Sequence, residues 1–419
     1  MALQVSHDNQ ENEVGAGRIR VDASGLAAFA KVRWPENCVV ETVESAVCDV
    51  PAFVGTEPVT AAVLGVRALE GAGTGAEGVL RYTASAGGME SYPGETRVVL
   101  GDGPDLALSQ SPRRDGVAPG SRITVPATLA NNGNRTAQVA LLRLFASRGL
   151  GFVERPANCE YLDTEVGTEA LCVLDEPIAP GDSFALANPL KVRKNALYDR
   201  YDYSVEPYSA EALEAARAGR TFTPGTGAEL NLVTAPALRT ATAAGTAKTA
   251  ARTAAEAPVP DLDPQDNYRS VIVHAANTAD LRLRGSRVEG AVGATVRAEV
   301  TVKNRGPAWI ASLGAGEPAA TVDVRVPAGT TVTAKPDSCS ALSEGGEWLE
   351  QQLGAPRYRC TTPIYLYENA SHTFGFDLRI DRAGKSRSTV ALDNDQYEPP
   401  VRSFDPDLTN NTAAIVVNG

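Results

Sequence analysis

The stretch "RPANC", residues 155–159, has two relatives in the same chain, "WPENC" at 34–38 and "KPDSC" at 335–339. Each is followed by one further cysteine, so the cysteines fall into three couples: Cys38 with Cys48, Cys159 with Cys172, Cys339 with Cys360. Six cysteines admit many pairings. The recurrence of Pro-x-(Asn/Ser)-Cys at the head of each couple selects one of them, nearest neighbours, one bridge per repeated unit. Buried free thiols are the alternative. A zinc site requires tight C-x-x-C couples, and the chain has none. Disulfides place a protein in an oxidising, extracytoplasmic compartment.

The segment after each second cysteine also repeats. "CDVPAFVGTEPVTAAVLGV", "CVLDEPIAPGDSFALANPLKV" and "CTTPIYLYENASHTFGFDLRI" each read as an apolar strand, a polar turn and an alternating strand. In "HTFGFDLRI" the alternation puts Phe374, Phe376, Leu378 and Ile380 on one face, the pattern of a half-buried strand. The openings "PDLALSQSPRRDGVAPGSRITVPATLANNG" (104–133) and "ADLRLRGSRVEGAVGATVRAEVTVKNRG" (279–306) match, each ending in an Asn/Gly turn. The closings "DPQDNYRSVIV" (263–273) and "DPDLTNNTAAIVV" (405–417) match on their Asp-Pro.

Many short strands, frequent turn signals and few helical periods predict an all-β chain of tandem antiparallel Ig-like β-sandwich domains, one intradomain disulfide each. The expected boundaries are 1–102 (a sandwich shortened at its start), 103–276 and 277–419. The second domain carries an insertion at about 209–262. Within it, "SAEALEAARAG" (209–219) predicts a short helix, with Ser209 as N-cap and Gly219 as stop. "GTGAELNLV" (225–233) reads as an extra strand. The Ala/Thr-rich run 235–264 has no apolar periodicity and reads as a loop, with a helix as the alternative.

Bulk properties narrow the function. A net charge of −12 lacks the basic footprint of a nucleic-acid binder and argues against electrostatic docking on an acidic membrane. No apolar run is long enough for a transmembrane helix, so no membrane insertion is expected. The polar start "MALQVSHDNQENEV" lacks a signal-peptide core. With disulfides expected, the chain reads as the mature part of a secreted protein, and its charge favours a monomer.

The "xDL" opening, the "NNG"/"NRG" turn, the Pro-x-x-Cys…Cys pair, the "APGDSF" turn and the "DPDLTNNTA" closing resemble the conserved-repeat Ig-like modules known as DUF11 and CARDB-like domains. The resemblance covers domain 3, domain 2 apart from its insertion, and domain 1 from its cysteines onward. It implies a secreted or cell-wall-anchored surface protein of Gram-positive, actinobacterial type. The partners it implies are the cell wall, or another surface protein or glycan.

Residues that carry chemistry are few. The three histidines, His7, His274 and His372, stand in no triad pattern. Ser371 neighbours His372, but adjacent strand residues point to opposite faces. No enzyme is expected and no cofactor, with calcium as the one candidate ion. Asp393, Asp395, Asp405 and Asp407, with Glu398 nearby, crowd the last loop of domain 3 and are candidate calcium ligands. Asp261, Asp263 and Asp266 are their counterparts in domain 2. Solvated turn residues are the alternative reading, since the spacing is not that of an EF-hand. Trp34, Trp309 and Trp348 are candidate sugar platforms or local packing plugs. The leading expectation is a non-enzymatic stalk or adhesion protein. The alternative is a ligand-binding accessory region for a carbohydrate or protein.

Overall fold

The structure, a computed structural model, describes residues 1–5, 13–54, 59–86, 92–109, 111–234, 259–313, 316–393 and 404–419. It divides into two compact units, Met1–Gly103 and Pro104–Gly419.

The first unit is built on a five-stranded antiparallel sheet. Its order is Tyr92–Val99, Glu77–Ala86, Gly17–Asp22, Ser45–Val50, Cys38–Thr42. Ile19 and Val21 alternate inward while Arg18 and Arg20 face out. The ribbons Ala2–Val5 with Val59–Val63, and Ala30–Arg33 with Gly65–Ala68, complete the core with Leu3, Leu26, Leu64 and Leu80.

The second unit holds two sandwiches of the same topology. In one, the strands Leu106–Leu108, Arg122–Asn131, Ser183–Val192 and Leu150–Phe152 form one sheet. The facing sheet runs Arg114–Val117, Tyr268–Ala275, Tyr198–Pro207, Ala140–Ser147, Gly167–Leu174, Cys159–Asp163, Thr223–Pro224. In the other, Leu281–Arg284, Thr295–Asn304, Ser371–Ile380 and Thr330–Ala334 face a sheet that begins Arg287–Val288, Thr412–Val417, Ser386–Asp393 and ends at Cys339–Leu342. In both, the opening strand starts in one sheet and continues in the other. There it pairs parallel to the closing strand, while the other strand pairings among the described residues are antiparallel. Phe374, Phe376, Leu378 and Ile380 are buried together as their alternation requires.

The Pro-x-(Asn/Ser)-Cys repeat is a repeated turn. The amides of Cys38, Cys159 and Cys339 donate to the carbonyls of Pro35, Pro156 and Pro336, each at 3.1 Å. The carbonyl of the intervening Asn37, Asn158 or Ser338 then accepts from the residue after the second cysteine, Asp49, Val173 or Thr361, each at 2.9 Å. This fixes register, so the paired cysteines stand directly opposite each other on adjacent strands. Bridges close Cys38–Cys48, Cys159–Cys172 and Cys339–Cys360. They join neighbouring strands of one sheet, unlike the bridge between sheets in antibody domains.

The insertion covers the outer face of the second sandwich. The helix Ala210–Arg217 is capped by Ser209, whose Oγ accepts from the Ala212 amide at 2.9 Å. It ends one residue earlier than the sequence suggests, because Ala218 already takes the left-handed conformation (φ 49°) before Gly219 (φ 70°). Ala216 and Phe222 cover Leu141 and Leu171. Arg217 grips Glu160 with two bonds of 2.6 and 2.7 Å. The expected strand 225–233 is absent. Two-residue strands flank it, at Thr223–Pro224 and Val233–Thr234, while Asn158 holds Leu230 between them. The segment serves as a strap over the cysteine turn, so it has no partner strand along its length. The Ala/Thr-rich run lies outside the described residues up to residue 258.

Candidate functional site: the junction of the second and third sandwiches

A dense polar cluster lies where the second sandwich meets the third. Tyr198–Pro207 reads "YDRYDYSVEP", and on one face of it Asp199, Tyr201, Tyr203 and Val205 are all buried. Asp199 is 0% exposed. Its carboxylate accepts from Ser147 Oγ (2.5 Å), the Gly149 amide (2.8 Å) and the Leu197 amide (3.0 Å). The fourth donor comes from the third sandwich: Trp309 Nε1 at 3.2 Å, with its indole 1% exposed. Burial pushes the Asp199 carboxyl above its ordinary range, and the four donors pull the other way. Gly149 is required here, because a Cβ would stand 2.0 Å from Asp199 Oδ2.

Around this anchor the two sandwiches share backbone, apolar and ionic contacts. The Trp309 amide donates to the Asn195 carbonyl at 3.0 Å. Asn277 Nδ2 donates to the carbonyls of Lys194 (2.9 Å) and Ala196 (2.7 Å), closing the connection between sandwiches onto the second. Leu197 belongs to the core of the third sandwich although it immediately precedes the strand Tyr198–Pro207 of the second. Arg148 pairs with Glu368 at 3.0 Å and lies over the Tyr367 ring at 4.4 Å. That contact holds the Glu368 carboxyl below its usual range against the effect of its burial. Arg200 Nη1 reaches the Leu313 carbonyl at 3.0 Å. His274 stacks on Tyr198 (4.2 Å between centroids), and Tyr198 in turn packs on Phe404. His274 is thus a packing residue with Asp115 at 3.4 Å.

Of the residues singled out in the sequence, Asp261, Asp263 and Asp266 share the closing turn of the second sandwich. Asp393 pairs with Arg359 on the outer face of a sheet. Asp405 Oδ2 accepts from the Leu281 amide (3.3 Å) and Asn411 Nδ2 (2.9 Å), and Asp407 accepts from Thr409 and Asn410. Asp395, Glu398 and His7 lie outside the described residues. Among the described residues, no three His, Cys, Asp or Glu side chains are grouped to hold a metal. His372 packs against Phe374, and burial lowers its pKa. Trp34 packs against the first core, Trp309 is the junction anchor, and Trp348 is 63% exposed with Arg359 beside its ring at 5.9 Å. A hollow of about 330 Å³ lies on the same sheet face, lined by Asp323, Arg325, Arg357, Thr389 and Asp393. Its charges are already paired, Arg357 with Asp323 and Arg359 with Asp393.

Sequence reasoning missed Asp199. The signal was its parity with Tyr201 and Tyr203, which puts a carboxylate on the core face of a strand. It also missed Arg148 and Glu368, which no local pattern marks.

No family model and no curated protein matches the chain. Among solved structures it is similar to a protein of unknown function from Porphyromonas gingivalis W83, at 10% identity over 74% of this chain and 98% of that one, with a TM-score of 0.18. It is also similar to Dpr2 Ig1-Ig2 in complex with DIP-Theta Ig1-Ig3, at 8% identity over 100% of this chain and 98% of that one, with a TM-score of 0.23. Likeness at that level carries no argument, so the fold rests on the strand pairings themselves. Three disulfides fit an oxidising compartment, and no helix among the described residues is long and apolar enough to cross a membrane.

Proposed function

We propose that this protein is a non-enzymatic extracellular structural or adhesion protein, in which tandem sandwiches present or space a surface. The observation that carries this reading is the junction: a fully buried Asp199 spends its fourth hydrogen bond on Trp309 of the next sandwich. A flexible linker needs no such contact. Burying a carboxylate is costly unless it is paired in this way, so the arrangement fits selection for a fixed angle between sandwiches. The DUF11/CARDB-like resemblance of the repeated motifs supports a place at a bacterial cell surface. The test combines binding and turnover. A pure spacer binds nothing on a glycan array and turns over no chromogenic ester or glycoside. Turnover abolished by a single point substitution contradicts it.

A second reading rests on Trp348. An exposed indole beside Arg359, on a sheet face with a shallow polar hollow, has the chemistry to stack a sugar ring and hydrogen-bond its hydroxyls. Under this reading the wild-type chain binds a saccharide on the array and Trp348→Ala loses it. Silence of both proteins rules the reading out.

A further inference from the structure

The second and third sandwiches close with the same turn, which lets one stand as the control for the other. Sequence matching on Asp-Pro aligned Asp263 with Asp405. The structure corrects this by two residues: "DLDPQDN" (261–267) matches "DPDLTNN" (405–411). The hydrogen bonds establish it. The Leu106 amide donates to Asp261 Oδ2 (2.8 Å) as Leu281 does to Asp405 Oδ2 (3.3 Å). The Asp263 amide donates to Asp261 Oδ1 (3.0 Å) as Asp407 does to Asp405 Oδ1 (3.1 Å). The Gln265 amide donates to Asp263 Oδ1 as Thr409 does to Asp407 Oδ1, both at 3.2 Å. The Val205 and Leu392 amides donate to the carbonyls of Asn267 and Asn411, both at 3.0 Å.

One difference matters chemically. In the third sandwich Asn410 Nδ2 donates to Asp280 Oδ1 at 2.9 Å and Asp407 Oδ2 at 3.0 Å, joining two carboxylates through a neutral amide. The matching residues of the second sandwich are Asp105 and Asp263, and the amide between them is replaced by the carboxyl of Asp266. Oδ1 of Asp105 and Oδ1 of Asp266 are both buried without a hydrogen-bond partner. Three ionised carboxylates at this place would have acceptors only. A protonated Asp266 has one O–H, which restores one of the amide's two bonds.

We propose that the closing turn of the second sandwich binds a proton: Asp266 is a neutral acid that donates to Asp105 or Asp263 in the role Asn410 fills in the third sandwich. The groups facing it are Asp105 just before the opening strand, Asp261 and Asp263 from the turn, and Arg269 from the closing strand. Burial is the first cause that raises the Asp266 pKa, to about 7. The three carboxylates add to it and Arg269 opposes. With a folded pKa above the unfolded value of 3.8, the folded state holds the proton where the unfolded chain has lost it. Stability of this sandwich therefore falls as pH rises from about 4 to about 7 and is level above. The turn holds the opening strand, through the Leu106 amide on Asp261 and the Leu108 amide on the Asp266 carbonyl at 3.0 Å. Losing the proton loosens that strand.

The experiment is carboxyl-carbon NMR titration of the full chain, with amide exchange at Leu106, Leu108 and Leu281. The Asp266 carbon is expected to titrate near pH 7. After correction for intrinsic rates, protection at Leu106 and Leu108 falls ~10-fold or more between pH 5.5 and 8, the scale of one pKa unit, while Leu281 does not change. Asp266→Asn removes the dependence, and Asn410→Asp installs it at Leu281. An Asp266 midpoint below pH 5, or a pH dependence that survives in Asp266→Asn, overturns the proposal. So does recovery of protection at pH 8 on adding calcium chloride, which would put a cation where the proton is placed.

Discussion

Asp199 and Trp309 show how single residues set the relation between two sandwiches. Trp309→Phe keeps an aromatic in the socket but removes the N–H together with part of the indole's buried volume. It leaves a buried carboxylate one donor short and costs about 1–3 kcal/mol, read from urea denaturation. Trp309→Ala adds a cavity and costs about 3–5 kcal/mol. A Phe variant as stable as wild type would show that the hydrogen bond contributes nothing. The paired buried asparagines act inside each sandwich. Asn131 holds the carbonyls of Arg135 and Ile178 and the amides of Asp105 and Gly133, and Asn304 repeats this with Ala308, Leu366 and Gly306. The "NNG" and "NRG" turns were legible in the sequence as turns. That the first asparagine of each, Asn131 and Asn304, is fully buried was not, because an Asn two residues before Gly reads the same whether its amide meets water or carbonyls. Asp199 was half legible: strand parity places it on the core face, but its partner lies more than a hundred residues away and only folding brings it there.

At the scale of elements, the cysteine hairpins were legible because three copies of one turn leave a common signature in the sequence. The strap over the second hairpin was not. Its role lies in contacts to Asn158 and the cysteine turn, and such contacts leave no periodicity. The loops closed by the bridges span 10, 13 and 21 residues, so chain entropy assigns each about 3 kcal/mol with little to separate them. Their surroundings differ more. The second hairpin is covered by the insertion, and in the third Trp348 bridges back to Leu342. In the first unit the strand Cys38–Thr42 is, among the described residues, at the edge of its sheet, with Val39 71% exposed. Reduction with dithiothreitol is therefore expected to unfold Met1–Gly103 at a lower urea concentration than the rest. Loss of protection at Ile19 and Val21 before Leu142 and Phe374 in exchange mass spectrometry is the check. The reverse order contradicts it. The helical part of the insertion rests on its cap, so Ser209→Ala costs about 1 kcal/mol, seen as faster exchange at the Ala212 amide.

At the scale of the whole molecule, the central claim is that Pro104–Gly419 is one body made of two sandwiches, fixed at the Asp199–Trp309 junction. The sequence suggested a short connection near residue 277, and a short connection alone does not fix an angle. What fixes it is Leu197 buried in the neighbouring core, Arg148 on Glu368, and the indole on Asp199. Residual dipolar couplings of the backbone amides in the full chain test this most directly. Couplings from the second sandwich (104–234 and 259–275) and from the third (278–393) are expected to fit a single alignment tensor with the orientation of this structure. Two tensors of different magnitude would mean that the sandwiches move independently, and the account of the junction would be wrong.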